Sequence, residues 1–244
     1  MKFSINPKYK EYQEKLLDIE SLFGLSRDIV YEKRNSIKNI TIEGSSWNVK
    51  SFAIPKLLNK IIYSFLRQSK AKRSFLYSIK IAKFVPEPLG FVEFYRWGFL
   101  HKSYFVSKNF EYDFTIREVL FDETTPQKRL LLEEFARFSY ALHQEDIEHL
   151  DYSPGNILIK KEESEYIFKI VDINRMKFRV LDIKERAKNF ARVWLRDEDL
   201  EIIIEEYCRV SKYEYNEMLP LALHYSQKHK DRANFKKNLK ERVR

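Results

Sequence analysis

Residues 149–159, His-Leu-Asp-Tyr-Ser-Pro-Gly-Asn-Ile-Leu-Ile, constrain this chain more than any other stretch. A helical pattern precedes them, an apolar β-branched run follows, and Pro154-Gly155 marks a turn between the two. Asp151 and Asn156 therefore stand five residues apart in a loop that leads from a helix into a strand. A second strand-like run ends on Val171-Asp172-Ile173-Asn174, closing a hairpin on another carboxylate. Chance could place a His-x-Asp in a turn, an Asn at a cap and an Asp at a strand end. It accounts poorly for helix, loop, hairpin and second acid arriving in this order.

The chain of 244 residues is long enough for one large domain or two small lobes around a buried core. With 44% hydrophobic and 15% aromatic residues, most of it is expected to be folded. The single cysteine, Cys208, permits no intramolecular disulfide and suits a reducing compartment. His101, His143, His149, His224 and His229 lack the spacing of zinc ligands. Residues 1–14 are polar and charged, unlike a signal peptide, and no apolar run is long enough to span a membrane. A cytoplasmic protein is expected. The net charge of +9 calls for an anionic partner: nucleic acid, lipid headgroups or a phosphorylated substrate. No aromatic-basic strand signature of an RNA module is visible, so nucleic acid is the weaker expectation.

Strand signals dominate early. Residues 36–44 alternate around Ile37, Ile40 and Ile42, and after a Gly-Ser-Ser turn residues 47–52 end in Val49-Lys50-Ser51-Phe52. Residues 55–83 read as helical, with an apolar stripe of Leu57, Leu58, Ile61, Ile62, Phe65 and Leu66 beside Lys56, Lys60 and Arg67. Two more strands are expected at 91–97 and 102–107. Thr125 is a plausible N-cap with Pro126 at the first helical position, followed by a core-facing stripe of Leu130, Leu131, Phe135, Phe138 and Leu142. A strand pair at 156–159 and 166–171 follows, and residues 183–229 read as helices. The expected fold is α+β in two lobes: residues 1–107 as a small antiparallel-sheet lobe and residues 108–244 as a helical one, with ligands bound in a cleft between them.

The loop now acquires a chemical reading. In kinase-type phosphoryl transfer one Asp orients the attacking hydroxyl and accepts its proton, while an Asn and a second Asp hold Mg2+ against the phosphates. Asp151, Asn156 and Asp172 fit these roles in that order, and His149 fits a brace for the loop better than a proton carrier. Lys50, inside a committed strand after two strand-like segments, is the candidate contact for the α- and β-phosphates of ATP.

Residues 149–158 resemble the catalytic loop of kinase-like small-molecule phosphotransferases. Asp172-Ile173-Asn174-Arg175-Met176-Lys177-Phe178 more particularly resembles the metal-binding segment of the lipopolysaccharide kinase family, the core heptose and 3-deoxy-D-manno-octulosonic acid kinases. Asn189-Phe190-Ala191-Arg192, and residues 69–74 ahead of Pro86-Glu87-Pro88, look like the same family. The resemblance spans roughly residues 30–210 and implies a protein-kinase-like fold. It also implies ATP as co-substrate, Mg2+ as cofactor, and a lipopolysaccharide core sugar hydroxyl as acceptor. A soluble small-molecule kinase and a non-catalytic nucleotide-binding scaffold stand as alternatives.

Three departures qualify the pattern. The five glycines, at 24, 44, 90, 98 and 155, form no phosphate-covering loop, whose expected position is near Arg34-Asn35-Ser36. No Asp or Glu lies between Ser51 and Pro86, so the next helix has no acid for Lys50, and Asp172, Glu43, Glu87 or Glu93 must serve, or ATP itself. Ser153 stands where protein kinases place a lysine, which favours a sugar or other small hydroxyl over a protein acceptor. Arg175 and Arg192 are candidates either for an anionic acceptor or for bracing salt bridges. Residues 55–73 and the tail at 225–244, with eight Lys/Arg against two Asp/Glu, are basic. A lipid-linked saccharide at the anionic cytoplasmic face of the inner membrane suits them, with RNA held by a disordered arm as the alternative.

Overall fold

Alternating apolar residues build a six-stranded sheet in the first part of the chain. The computed structural model describes residues 1–33, 35–53, 68–122, 124–163 and 165–242, in two units, Met1–Glu111 and Tyr112–Arg244. The first unit contains β1 (Lys2–Ile5), α1 (Gln13–Leu17), α2 (Ile19–Leu25), β2 (Ile29–Glu32), β3 (Ser36–Ile42), β4 (Ser45–Ser51), α3 (Lys70–Lys80), β5 (Pro88–Arg96) and β6 (Phe99–Lys108). The sheet order is β1-β5-β6-β4-β3-β2, with every neighbouring pair antiparallel.

Period-two alternation gives the sheet two apolar faces. Trp47, Val49, Val92 and Val106 pack on one side with Leu16 and Ile19 of the N-terminal helices. On the other, Phe52 and Phe91 meet Ala71 and Phe75 of α3, with Phe105 alongside. The β3–β4 and β5–β6 hairpins close on two-residue turns, Glu43-Gly44 (φ 50° and 79°) and Trp97-Gly98 (φ 52° and 79°). Positive φ at both positions suits the right-handed twist of the strands, and glycine takes the second at no steric cost. The β3–β4 turn is therefore Glu43-Gly44 rather than Gly-Ser-Ser, since Ser45 and Ser46 already belong to β4.

Residues 1–14, read from sequence only as a polar stretch, instead supply an edge strand and the start of the helical cover. The helix expected over 55–83 is seen as α3 at its C-terminal part, capped by Ser69 Oγ accepting from Lys72 N at 3.0 Å. The stripe from Leu57 to Leu66 and the cations Lys56, Lys60 and Arg67 lie outside the described residues, as does Arg34.

The second unit contains β7 (Phe114–Thr115), α4 (Ile116–Phe121), α5 (Lys128–Gln144), β8 (Ile147–His149), β9 (Ile157–Glu162), β10 (Glu165–Ile170), β11 (Met176–Phe178), α6 (Ile183–Phe190), α7 (Asp197–Ser211) and α8 (Tyr215–Arg242). α5 packs against α7, and α8 against both α6 and α7. α5 buries Leu131, Leu132, Phe135 and Leu142, and Phe138 stacks on Phe168 of β10 at 5.4 Å. Leu130, expected in the core, is 39% exposed at the edge of the stripe. Thr125 is not the N-cap of α5. Gln127 takes that position in a left-handed conformation (φ 60°), and its carbonyl accepts the first helical bond from Leu131 N at 3.1 Å. The tail is no disordered arm either, because α8 carries it as helix to Arg242.

Candidate active site

The site grows from one residue, Val171, at the end of β10. Its N–H donates to Asn156 O at 2.9 Å, and its carbonyl accepts from His149 Nε2 at 3.1 Å. The loop before β9 and the segment after β10 are thus tied through a single residue. Beyond it the chain turns sharply: Asp172 sits in the left-handed region at φ 56°. A non-glycine residue held there carries strain that surrounding contacts must offset, a recurrent mark of functional segments. Asn174 is buried and donates from Nδ2 to Asp172 Oδ1, which fixes the carboxylate.

The 149–156 loop is held as firmly. His149 is 1% exposed, and its Nδ1 accepts the backbone N–H of Asp151 at 3.0 Å, so Nε2 carries the proton given to Val171. Burial holds the pKa of this imidazole below its usual value, keeping it neutral. Asn156 Nδ2 donates to Asp151 O at 2.9 Å, and Ser153 N donates to the same carbonyl at 2.7 Å. The commitment of Nδ2 turns Asn156 Oδ1 to the opposite side of the amide. The Asp151 carboxylate is 40% exposed, with Arg175 Nη1 at 3.9 Å from Oδ2. The short strands pair His149 with Met176, and Leu150 N donates to Arg175 O at 2.9 Å, which sets Arg175 beside Asp151.

A buried relay supports the loop from behind. Arg186 Nη1 donates to Tyr207 Oη at 3.1 Å, and Tyr207 Oη bonds His143 Nδ1 at 2.8 Å. His143 Nε2 bonds Asn189 Oδ1 at 3.1 Å, and Asn189 Nδ2 donates to His149 O at 3.0 Å. The donors all run one way, from Arg186 to the His149 carbonyl. Burial, reinforced by the nearby Arg186 charge and opposed by the Asn189 bond, lowers the pKa of His143 to about 4. Sequence reasoning missed this relay. The available signal was the placement of His143, Arg186 and Asn189 on the apolar faces of their helices, where a polar side chain needs partners.

His149, Asp151, Asn156 and Asp172 are thus brought together in the second unit, whereas Lys50 belongs to the first. Lys50 pairs with Ile37 of β3 and Phe105 of β6, on the α3 face of the sheet, with its ammonium 5.4 Å from the Phe52 ring centroid. Of the acids considered for it, Glu87 bonds Lys8 at 2.6 Å and lies 4.0 Å from Lys108, Glu93 accepts from Tyr95 Oη at 2.8 Å, and Glu43 forms the β3–β4 turn. Asn35, at the β2–β3 connection, accepts from Ala53 N at 3.2 Å and so ties that connection to the end of β4. Among the described residues no three His, Cys, Asp or Glu side chains gather as a metal cluster. Asn156 and Asp172 fit Mg2+ nevertheless. Both are hard oxygen donors, and Mg2+ is commonly held by one or two side chains with phosphate oxygens and water completing its shell.

The fold is protein-kinase-like: it is similar to the solved structure of WaaP in complex with acyl carrier protein, with a TM-score of 0.61 and 17% identity over 95% of this chain and 99% of that one. A weaker similarity, TM-score 0.48 at 16% identity over 95% of this chain and 75% of the other, is to the Rio2 kinase–ADP/Mg2+-phosphoaspartate complex from Chaetomium thermophilum. Residues 85–213, over half of the chain, match the lipopolysaccharide kinase (Kdo/WaaP) family. The chain belongs to that family. It is a kinase that uses ATP to phosphorylate a hydroxyl of a lipopolysaccharide core sugar. No curated protein sequence matches it significantly.

Proposed function

We propose that Asp151 is the general base of this transfer, that Asn156 and Asp172 hold Mg2+, and that Lys50 contacts the α- and β-phosphates of ATP. The observation that carries the reading is the Val171 tie, which fastens the Asn156 end of the loop to the residue preceding Asp172. The exposed Asp151 carboxylate can meet an acceptor hydroxyl and take its proton as the oxygen attacks the γ-phosphorus. Two backbone-directed bonds to Asp151 O and one from Asp151 N to His149 keep that carboxylate oriented, which lowers the entropic cost of reaching the reactive geometry. Mg2+ bound at Asn156 and Asp172 would neutralise phosphate charge. His149, with both ring nitrogens bonded to backbone, positions the loop and moves no proton.

The acceptor we favour is a lipid-linked saccharide reached from the cytoplasmic face of the inner membrane, where ATP is available. No helix among the described residues is long and apolar enough to cross a membrane, and the basic tail suits a peripheral hold on anionic lipid. Acyl carrier protein, the partner in the WaaP complex, is a second candidate partner to examine. Incubation with γ-labelled ATP and fractionated lipid-linked saccharides tests the acceptor. Label in a core-sugar fraction supports it, and label only in water-soluble metabolites would replace it with a small-molecule kinase.

A further inference from the structure

The 149–156 loop holds the Asp151 carboxylate but no cation of its own. Ser153, whose N–H donates to Asp151 O at 2.7 Å, occupies the turn position where protein kinases place a lysine, and its side chain is a neutral hydroxyl. Phosphoryl transfer spreads negative charge over the three oxygens of the moving group, and a positive group already aimed at that charge lowers the barrier.

Arg175 brings a cation to this place from another element. It stands three residues after Asp172, at the entry to β11, and its carbonyl accepts from Leu150 N at 2.9 Å. The next residue, Met176, pairs with His149, so the backbone of Arg175 is fixed alongside the start of the loop. Its Nη1 lies 3.9 Å from Asp151 Oδ2, too far for a hydrogen bond. Charge attraction therefore keeps the guanidinium near the carboxylate without using its N–H groups. Among the described residues, Arg175 is the only cation within 4.0 Å of the Asp151 carboxylate, and its guanidinium, 62% exposed, makes no hydrogen bond. The neighbouring cations turn elsewhere. Lys177 and Arg179 face Glu148 at 3.8 and 2.9 Å, and Arg186 donates into the buried relay. Arg117 Nη2 lies against Gly155, 2.9 Å from where a Cβ on that residue would stand. An exposed pair at the Arg175–Asp151 separation contributes little to stability, so the placement matters for what the open fork can still bind.

We infer that Arg175 is a catalytic residue: its guanidinium supplies the cation that Ser153 does not, and donates to the γ-phosphoryl oxygens during transfer. The inference rests on the proposed roles of Asp151, Asn156 and Asp172. In the step the acceptor oxygen bonds to the γ-phosphorus, and the bond from that phosphorus to the β,γ-bridging oxygen breaks, its electron pair leaving with ADP. The hydroxyl proton passes to Asp151. Neutralised in this way, Asp151 no longer attracts the guanidinium, which is released toward the phosphoryl oxygens. Arg175 itself exchanges no proton, because a guanidinium stays charged throughout, and its planar fork matches two phosphoryl oxygens at once.

Binding of Mg-ADP, with and without tetrafluoroaluminate as a planar anionic mimic of the moving group, tests this without turnover. Arg175→Ala should bind Mg-ADP as the parent does and bind the Mg-ADP–tetrafluoroaluminate pair at least about tenfold more weakly, the scale of a lost charge-assisted contact. Arg175→Lys keeps the charge but loses the fork and should fall between the two. With lipopolysaccharide core oligosaccharide as acceptor, Arg175→Ala should lower kcat by about 10²–10³, the scale of removing one donor aimed at transition-state charge, with KM for ATP little changed. Dilute guanidinium chloride should restore part of that loss, and ammonium chloride should not. Equal binding of the mimic by parent and Arg175→Ala, or binding by neither, would overturn the inference and leave Arg175 as a brace for Asp151. Parent-like turnover in Asp151→Asn would instead refute the proposed base, while the nucleotide measurement, which needs neither acceptor nor proton transfer, still decides on Arg175.

Discussion

Asn189 Nδ2 donates to the carbonyl of His149 across forty residues of sequence, at 3.0 Å and out of contact with water. That bond ends the relay from Arg186 through Tyr207 and His143, so the 149–156 loop rests on a chain of oriented donors rather than on apolar packing alone.

Replacing Asn189 by Ala should therefore leave the His149 carbonyl and His143 Nε2 unpaired in the interior. Unsatisfied buried groups cost about 1–3 kcal/mol each, so a loss of about 2–6 kcal/mol is expected in urea unfolding. The turnover of the folded fraction should fall with it, since the loop that carries Asp151 loses its support. A variant as stable as the parent would show that water or relaxation replaces the relay.

Asp151→Asn retains shape and removes the carboxylate proposed as the proton acceptor. Turnover is expected to drop by about 10²–10⁴, the usual contribution of a general base. Mg-ATP affinity, measured by calorimetry, should change little, because the proposed role sets this carboxylate against the acceptor hydroxyl rather than the nucleotide. Turnover near that of the parent would remove Asp151 from the chemistry.

Asp172→Ala should abolish most Mg2+-dependent nucleotide binding, whereas Asn156→Ala should weaken it less. In the proposed role the Asp would contribute full negative charge to a cation that bridges to phosphate, and the Asn only a dipole. Calorimetry with Mg-ATP and with ATP in chelator separates the two. Unchanged Mg-ATP binding by the Asp172 variant would refute its assignment as a ligand.

Stability should fall on mild acidification. His143 has a folded pKa of about 4, below the ordinary 6.5, so the unfolded chain takes up a proton first as pH drops. The contribution of the neutral ring is complete above about pH 6.5 and is lost progressively toward pH 4, to a total of about 3 kcal/mol. His149 shifts in the same direction, again because of burial, and steepens the decline. Urea midpoints at pH 7, 5.5 and 4.5 should converge between the parent and His143→Phe, which cannot titrate. Parallel declines of the two proteins would assign the acid sensitivity to other groups.

The sequence alone was enough to place Asp151, Asn156 and Asp172 on a loop and hairpin, and to mark Lys50 as a strand residue. Those features are local: turn residues, period-two alternation and a helical stripe act over a few positions and can be read along the chain. The β3–β4 hairpin and the two strands β5 and β6 were legible for the same reason. The helix start at Gln127 was not, because Thr125-Pro126 offers a good local cap that the left-handed Gln127 displaces. Nor was the role of Asn189 legible, nor the positive φ of Asp172. Each depends on which polar groups lose water together when distant helices pack. A buried donor must find its acceptor wherever folding brings one, and nothing in residue spacing records a partner forty positions away.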